Sequence, residues 1–362
     1  MRARINAAIL ALLITSISLL VTPIGAQAAD SKIILLDAPH TDLLGASLNT
    51  ELSVSLLPAG RLGLLIYTPV SKPRTWFIDA ALIEEVSTLA IKDPSAQKWL
   101  TQLTLESVDD TVIALPYGHP DISLARRLAP TELAYYYDSS QTKLRLVLGR
   151  DVLVERGARW PTGGTKVPAE AIHSYTSNRH AIALLATVVP PQQLDNLRSK
   201  LAFLLSTGST AKRQLYFAKN ADLAVAAANH KLRIVPGKYR LTSAREKVPV
   251  TLINDFAEPV RVTLQLTPLN SRIRVGGPET LSLPANSKIQ LSVPFTVVAP
   301  GSTAVLAEFR NSVGKPLGDS VILTLSLSVI SPAVAWFTTG AAILLFLAAT
   351  AQIVRRVRRS RR

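Results

Sequence analysis

The stretch Thr111–Ser123, TVIALPYGHPDIS, decides how the N-terminal half of the chain is read. Thr111 to Leu115 is a short apolar run of the kind that forms a buried strand. Pro116 to Gly118 has turn chemistry. Asp121 then stands just before ISLARRLA, where Leu124 and Leu128 are four apart, as on one face of a helix. Strand, tight turn and capped helix in succession make a βα unit.

Working outward, similar units recur. KIILLD (32–37) and TWFID (75–79) read as strands, and Pro58 to Tyr67 reads as a helix opened by proline. AALIEEVSTLA places Leu82, Val86 and Leu89 at helical spacing, with Glu84 and Glu85 on the wet side. KLRLVLG (143–149) reads as a further strand, PAEAIHSYT as a short helix, and Ala181 to Val189 as another buried run. Alternating strands and helices imply an α/β fold with a mostly parallel sheet. The expectation is a partial or degenerate β/α barrel-like domain over residues 30–229.

From residue 230 the period changes to two. In VRVTLQL, Val260, Val262, Leu264 and Leu266 share one face, while Arg261, Thr263 and Gln265 share the other. PVTLIND, ETLSLPANSKIQLSVPFTVV, STAVLAEFRN and SVILTLSLSVI repeat the alternation between proline and glycine turns. This predicts an all-β immunoglobulin-like sandwich over 230–331.

The ends of the chain suggest a location. Arg2 and Arg4 precede an apolar run, and Ala26-Gln27-Ala28 fits a cleavage site, so residues 1–28 read as a signal peptide. Residues 333–354 carry no charge and read as one transmembrane helix. Arg355, Arg356, Arg358, Arg359, Arg361 and Arg362 follow as a basic cytoplasmic tail (355–362), which orients the span with the bulk of the protein extracytoplasmic. The expected location is therefore the cell membrane, single-pass, with the lipid bilayer as a partner. The net charge of the 362-residue chain is +15, of which the tail supplies six and the leader two, leaving +7 for the rest. That mild excess suits anionic wall polymers or headgroups and gives no reason to expect nucleic acid. The chain has no cysteine, hence no disulfide framework and no lipidated N-terminal cysteine.

Candidate chemistry gathers at the carboxyl ends of the expected parallel strands, where α/β folds bind ligands. Asp37 and His40 follow the first strand, Asp79 the second, and Tyr117, His119 and Asp121 the third. Asp37, Asp79, His119 and Asp121 are the catalytic candidates. Tyr117, His119 and Asp121 are the ligand-binding ones. Helix capping by Asp79 and Asp121 explains the same residues without any ligand. His173 and His180, seven apart around a turn-like TSN, do not have the spacing of a metal pair, and no metal or cofactor is expected. RWPTGGT (159–165) lacks a phosphate-loop lysine and reads as a turn. Asp109 and Asp110 read as a solvated loop.

TWFIDAALIEEV, VIALPYGHPDIS, ARWPTGGTKVPAEAI and, most specifically, the block around INDFAEPVRV resemble an uncharacterised family of actinobacterial exported, single-span envelope proteins. The resemblance implies a domain similar to glycosidases and polysaccharide deacetylases, an immunoglobulin-like domain, a span and a basic tail. It also implies a gene often placed beside that of the lipid-linked peptidoglycan precursor flippase. Family members are usually longer. Deacetylase relatives use a pair of Asp at the first strand end and a close His pair, whereas LLDAPHTD offers Asp37 with no adjacent Asp. The expected role is a non-catalytic scaffold in envelope biogenesis that binds cell-wall glycan or an envelope-biogenesis membrane protein. The alternatives are a carbohydrate-active hydrolase or deacetylase, and a regulatory partner of a membrane transporter such as that flippase.

Overall fold

The computed structural model describes residues 31–156, 166–328 and 332–359. The expected leader (1–28), the RWPTGGT turn, Arg361 and Arg362 lie outside these residues. The chain forms two units. The first comprises residues 31–40, 47–119 and 129–156. The second comprises 41–46, 120–128 and everything described from 166 onward, so residues 166–229, grouped above with the parallel strands, belong to it.

Along the chain run β1 (Ser31–Leu35), α1 (Glu51–Ser55), α2 (Arg61–Tyr67), β2 (Arg74–Asp79), α3 (Ala80–Ala90), α4 (Pro94–Ser107) and β3 (Thr111–Leu115). Then come α5 (Ile122–Leu128), α6 (Pro130–Leu148), β4 (Leu153–Val154), α7 (Ala169–Leu185), α8 (Asp195–Lys200) and α9 (Ala211–His230). The rest is β5 (Leu232–Ile234), β6 (Lys238–Leu241), β7 (Arg245–Asn254), β8 (Val260–Pro268), β9 (Ile273–Val275), β10 (Glu279–Leu283), β11 (Ser287–Val297), β12 (Gly301–Arg310), β13 (Pro316–Leu327) and α10 (Pro332–Arg359).

In the first unit, β1 to β4 form one parallel sheet in sequential order. β2 and β3, each followed by a helix, are buried on both faces: Trp76, Phe77 and Ile78, and likewise Val112, Ile113 and Ala114, are all inside. At the amino end of the sheet, Asp110 is buried rather than solvated. It accepts from Arg74 Nε at 2.8 Å and Trp76 Nε1 at 2.9 Å. Asp109 is the exposed member of that pair. The KLRLVLG segment is the last two turns of α6, not a strand. Leu144 and Leu148, four apart, are buried while Leu146 is exposed, and Gly149 ends the helix at φ +64°, where glycine carries no side-chain penalty.

In the second unit, α7 is a single helix that contains HSYTSNRH and most of the run expected to follow it. It is joined to α9 by Ser174 and Asn178, which both hydrogen-bond Asp222. The Leu201–Leu205 turn is fully buried, and Phe203 meets Phe217 at 5.7 Å between ring centroids. Loop residues 41–46 belong here. Asn220 Oδ1 accepts from the Leu43 amide at 2.9 Å, and Lys200 Nζ donates to the Asp42 carbonyl at 3.3 Å. Among the described residues nine strands follow in two sheets, ordered β10-β8-β12-β13-β6 and β5-β7-β11-β9. All pair antiparallel except β13 with β6. Val260, Val262, Leu264 and Leu266 face inward, as do Val248, Val250, Leu252 and Phe295.

Asn254 ends β7 and is wholly buried. Its Nδ2 donates to the carbonyls of Glu258, Leu283 and Pro284, and its Oδ1 accepts from the Phe256 amide at 3.0 Å. The INDFAEP block is therefore a corner tied down by one amide.

The expectation of a membrane span over 333–354 is overturned. The segment is part of α10, but no helix among the described residues is long and apolar enough to cross a membrane. Thr338, Thr339, Gly340, Thr350 and Gln352 dilute its apolar character, and the arginines enter within the same helix. The single-pass location, with an extracytoplasmic bulk and a cytoplasmic tail of Arg355, Arg356, Arg358 and Arg359, falls with the span.

Candidate functional site

The candidate site is built at the carboxyl ends of β1, β2 and β3. The Thr111–Ser123 stretch turns there because the His119 amide donates to the Pro116 carbonyl at 3.0 Å, closing a four-residue turn. Gly118, at φ +71°, takes the left-handed position that such a turn needs. His119 follows at φ +46°, a region few non-glycine residues enter.

Asp79 lies at the centre and is 1% exposed. Its Oδ1 caps α3 by accepting from the Ala81 amide at 2.9 Å, and also accepts from the Gly118 amide at 3.0 Å. One oxygen thus ties the end of β2 to the turn after β3. Burial pushes the carboxyl up to about 7; the two amide bonds pull the other way, and Glu85 and Glu84 add to the rise.

Tyr117 is buried, and its hydroxyl donates to Glu84 Oε2 at 2.8 Å. Lys143 Nζ reaches the same oxygen at 2.8 Å and stands 5.1 Å from the centre of the Tyr117 ring. Burial, then the Glu84 charge, hold the phenol well above its ordinary value, so it stays a proton donor. Beside the Glu84–Lys143 pair is a small hollow of about 200 Å³, lined by Ile83, Leu144, Leu146 and Val147 among others.

Asp37 accepts from the Ala38 amide and pairs with Arg61 and, at 3.2 Å, with His40 Nε2. Burial acts to raise the Asp37 carboxyl, but the His40 hydrogen bond and the Arg61 charge outweigh it and leave it low. For His40, burial favours the neutral ring, but bonds to Asp37 and Asn49 and the Glu85 charge prevail and raise it. The His40 amide donates to both carboxylate oxygens of Glu85 at 3.0 Å, so Glu85 is buried, not on the wet side. His119 is buried with Nδ1 unbonded, and burial lowers its affinity for a proton.

Of the sequence candidates, Asp37, Asp79, Tyr117 and His119 belong to this first unit. Asp121 belongs to the second, where its side chain caps α5 by accepting from the Leu124 amide at 2.9 Å. His173 and His180 are both exposed on α7, two turns and thus about 10 Å apart along the axis. Among the described residues no group of three or more His, Cys, Asp or Glu could hold a metal ion. Sequence reasoning missed Glu84, Glu85, Arg61 and Lys143. The acidic pair in the first turns of α3 was visible, but its partners are distant in sequence.

Residues 136–362 match the model of a family of unknown function, DUF6049, and the chain belongs to that family. No curated protein matches it. Among solved structures, it is similar to WR4, a C. elegans member of the MSP family, at 11% identity and a TM-score of 0.21. That match covers 27% of this chain and 97% of WR4. It is also similar to the E. coli chaperone DraB at 16% identity and a TM-score of 0.21, over 28% of this chain and 55% of the chaperone. The chain is further similar to a PapD-like domain of human CEP192 at 15% identity and a TM-score of 0.20, over 28% of this chain and 84% of that domain.

Proposed function

We propose that this member of the family is a non-catalytic scaffold that binds glycan or protein, with the envelope setting supplied by the sequence resemblance alone. The observation that carries the reading is how the strand-end acids are engaged. The Asp79 oxygen holds two backbone amides, Asp37 is locked between Arg61 and His40, Glu84 is shared by Tyr117 and Lys143, and Glu85 holds the His40 amide. An acid and base for glycan chemistry must converge across a scissile bond. Here the acids converge on the protein's own backbone and cations.

One observation favours a second reading, a hydrolase or deacetylase. A carboxyl held near 7 beside a phenol and two glutamates is a known arrangement for general acid–base work. Purified full chain and Asp79→Asn are to be compared for binding to peptidoglycan fragments and for hydrolysis and deacetylation of them. The scaffold reading expects both proteins to bind alike and neither to turn over. Turnover by the wild type that Asp79→Asn abolishes, with the fold unchanged, would replace it with the enzyme.

A further inference from the structure

The strand register fixes what the outer face of the β5-β7-β11-β9 sheet presents. Arg245, Thr296 and Arg274 lie side by side across β7, β11 and β9, and Lys247 stands next along β7 beside Pro294. Further along come Pro249 with Ser292 and Thr251 with Gln290, and at the far end Ile253 sits between Arg233 and Lys288. The alternate residues Val248, Val250, Leu252, Val293 and Phe295 are buried, so this row faces away from the core.

Arg245, Lys247, Arg274 and Lys288 are all exposed. No outward position of the four strands holds a carboxylate. Glu246 is on the opposite side of β7 and accepts from the Thr242 and Ser243 amides; Asp255, which pairs with Arg233, lies in the turn beyond the strand. Facing residues are about 7 Å apart along a strand and about 5 Å apart between strands. Arg245 therefore lies about 7 Å from Lys247 and about 10 Å from Arg274, with Lys247 and Arg274 about 12 Å apart. Like charges so close repel, and an anion laid across them removes the repulsion. From that cluster to Lys288 the face runs for roughly 27 Å, carrying the hydroxyls and amide of Thr296, Ser292, Thr251 and Gln290. It holds no aromatic side chain, so bases would find nothing to stack on.

We infer that this face binds a linear anionic polysaccharide. The cations meet its carboxylate or phosphate groups, and the Thr, Ser and Gln side chains meet its hydroxyls. The inference rests on the glycan arm of the scaffold reading and puts the glycan on a surface separate from the strand ends.

The test uses the full chain and three probes: polygalacturonate, neutral dextran and inorganic polyphosphate. The wild type is expected to bind polygalacturonate, less tightly as salt rises, and not to bind dextran. The triple variant Arg245→Glu, Lys247→Glu, Arg274→Glu should lose at least about tenfold in affinity with an unchanged melt. The control Lys238→Glu, Arg240→Glu, Arg261→Glu makes the same change in net charge on exposed positions of the other sheet and should lose much less. Gln290→Ala with Thr296→Val should weaken polygalacturonate roughly threefold and leave polyphosphate unaffected. Equal losses in the two triples would assign attraction to net charge alone and overturn the inference. Equal effects of Gln290→Ala with Thr296→Val on both polymers would overturn the polysaccharide assignment. Glycan turnover by the wild type would remove the non-catalytic reading and leave this surface standing, whereas failure of the triple variant would do the reverse.

Discussion

Asp79 and Asn254 occupy comparable places in the two units. Each ends a strand, each is buried, and each ties its strand to another loop by hydrogen bonds to backbone. The difference is charge. The Asn254 amide has two N–H donors shared among three carbonyls and an acceptor for the Phe256 amide, and it carries no charge. Asp79 makes its bonds through one oxygen of a group that burial pushes towards protonation. A corner that only needs holding is served by an amide. A carboxyl in the same position makes its unit's stability depend on pH.

The largest effect is expected where the amide is removed. Asn254→Leu leaves the carbonyls of Glu258, Leu283 and Pro284 and the Phe256 amide without their partner, and should cost about 4 kcal/mol in urea unfolding. A cost under 1 kcal/mol would show that water or slack in the corner replaces the amide.

The carboxyl should behave differently. The folded Asp79 value lies above its ordinary 3.8, at about 7. The native state thus binds more protons than the unfolded state between these values, and the group's contribution to stability falls as pH rises through that window. Asp79→Asn keeps an oxygen for the Ala81 and Gly118 amides and removes the ionisation. Its stability relative to wild type should grow by about 3 kcal/mol between pH 5 and pH 8. Parallel pH profiles for the two proteins would break the comparison.

The smallest effect belongs to the cap in the second unit. Asp121→Ala should cost about 1 kcal/mol, and Asp121→Asn almost nothing, because asparagine caps as well as aspartate. A full loss in the asparagine variant would mean that the charge, not the cap, is what matters at α5.

What was legible in the sequence follows from the range of each interaction. The alternation in Val260–Leu266 is local and points straight to β8. The capping positions of Asp79 and Asp121 are local too. The KLRLVLG segment misled because its leucines also fit a period of two. Only the long run from Pro130 to Gly149 identifies a helix, and Leu146 is simply exposed. HSYTSNRH looked like a turn by composition, yet Ser174 and Asn178 are held by Asp222 from α9. The site was harder to see for the same reason. Asp79 reaches Gly118, Tyr117 reaches Glu84 and His40 reaches Glu85, each across more than thirty residues, and no periodicity records such pairings. The expected span rested on an uncharged run with arginines after it, and no helix among the described residues is long and apolar enough to cross a membrane.

The loop at residues 41–46 has a temporal consequence. It belongs to the second unit, yet the Asn220 side chain that receives the Leu43 amide lies 177 residues later. At roughly 5–20 residues per second of synthesis, that partner follows about 9–35 seconds behind. During this interval the loop has its own bonds, Asp42 with Ala46 and Gly45, but the Leu43 amide lacks Asn220, while β1, β2 and β3 already have one another. The first sheet is free to form with the loop still waiting, and the second unit closes only when α9 has been made.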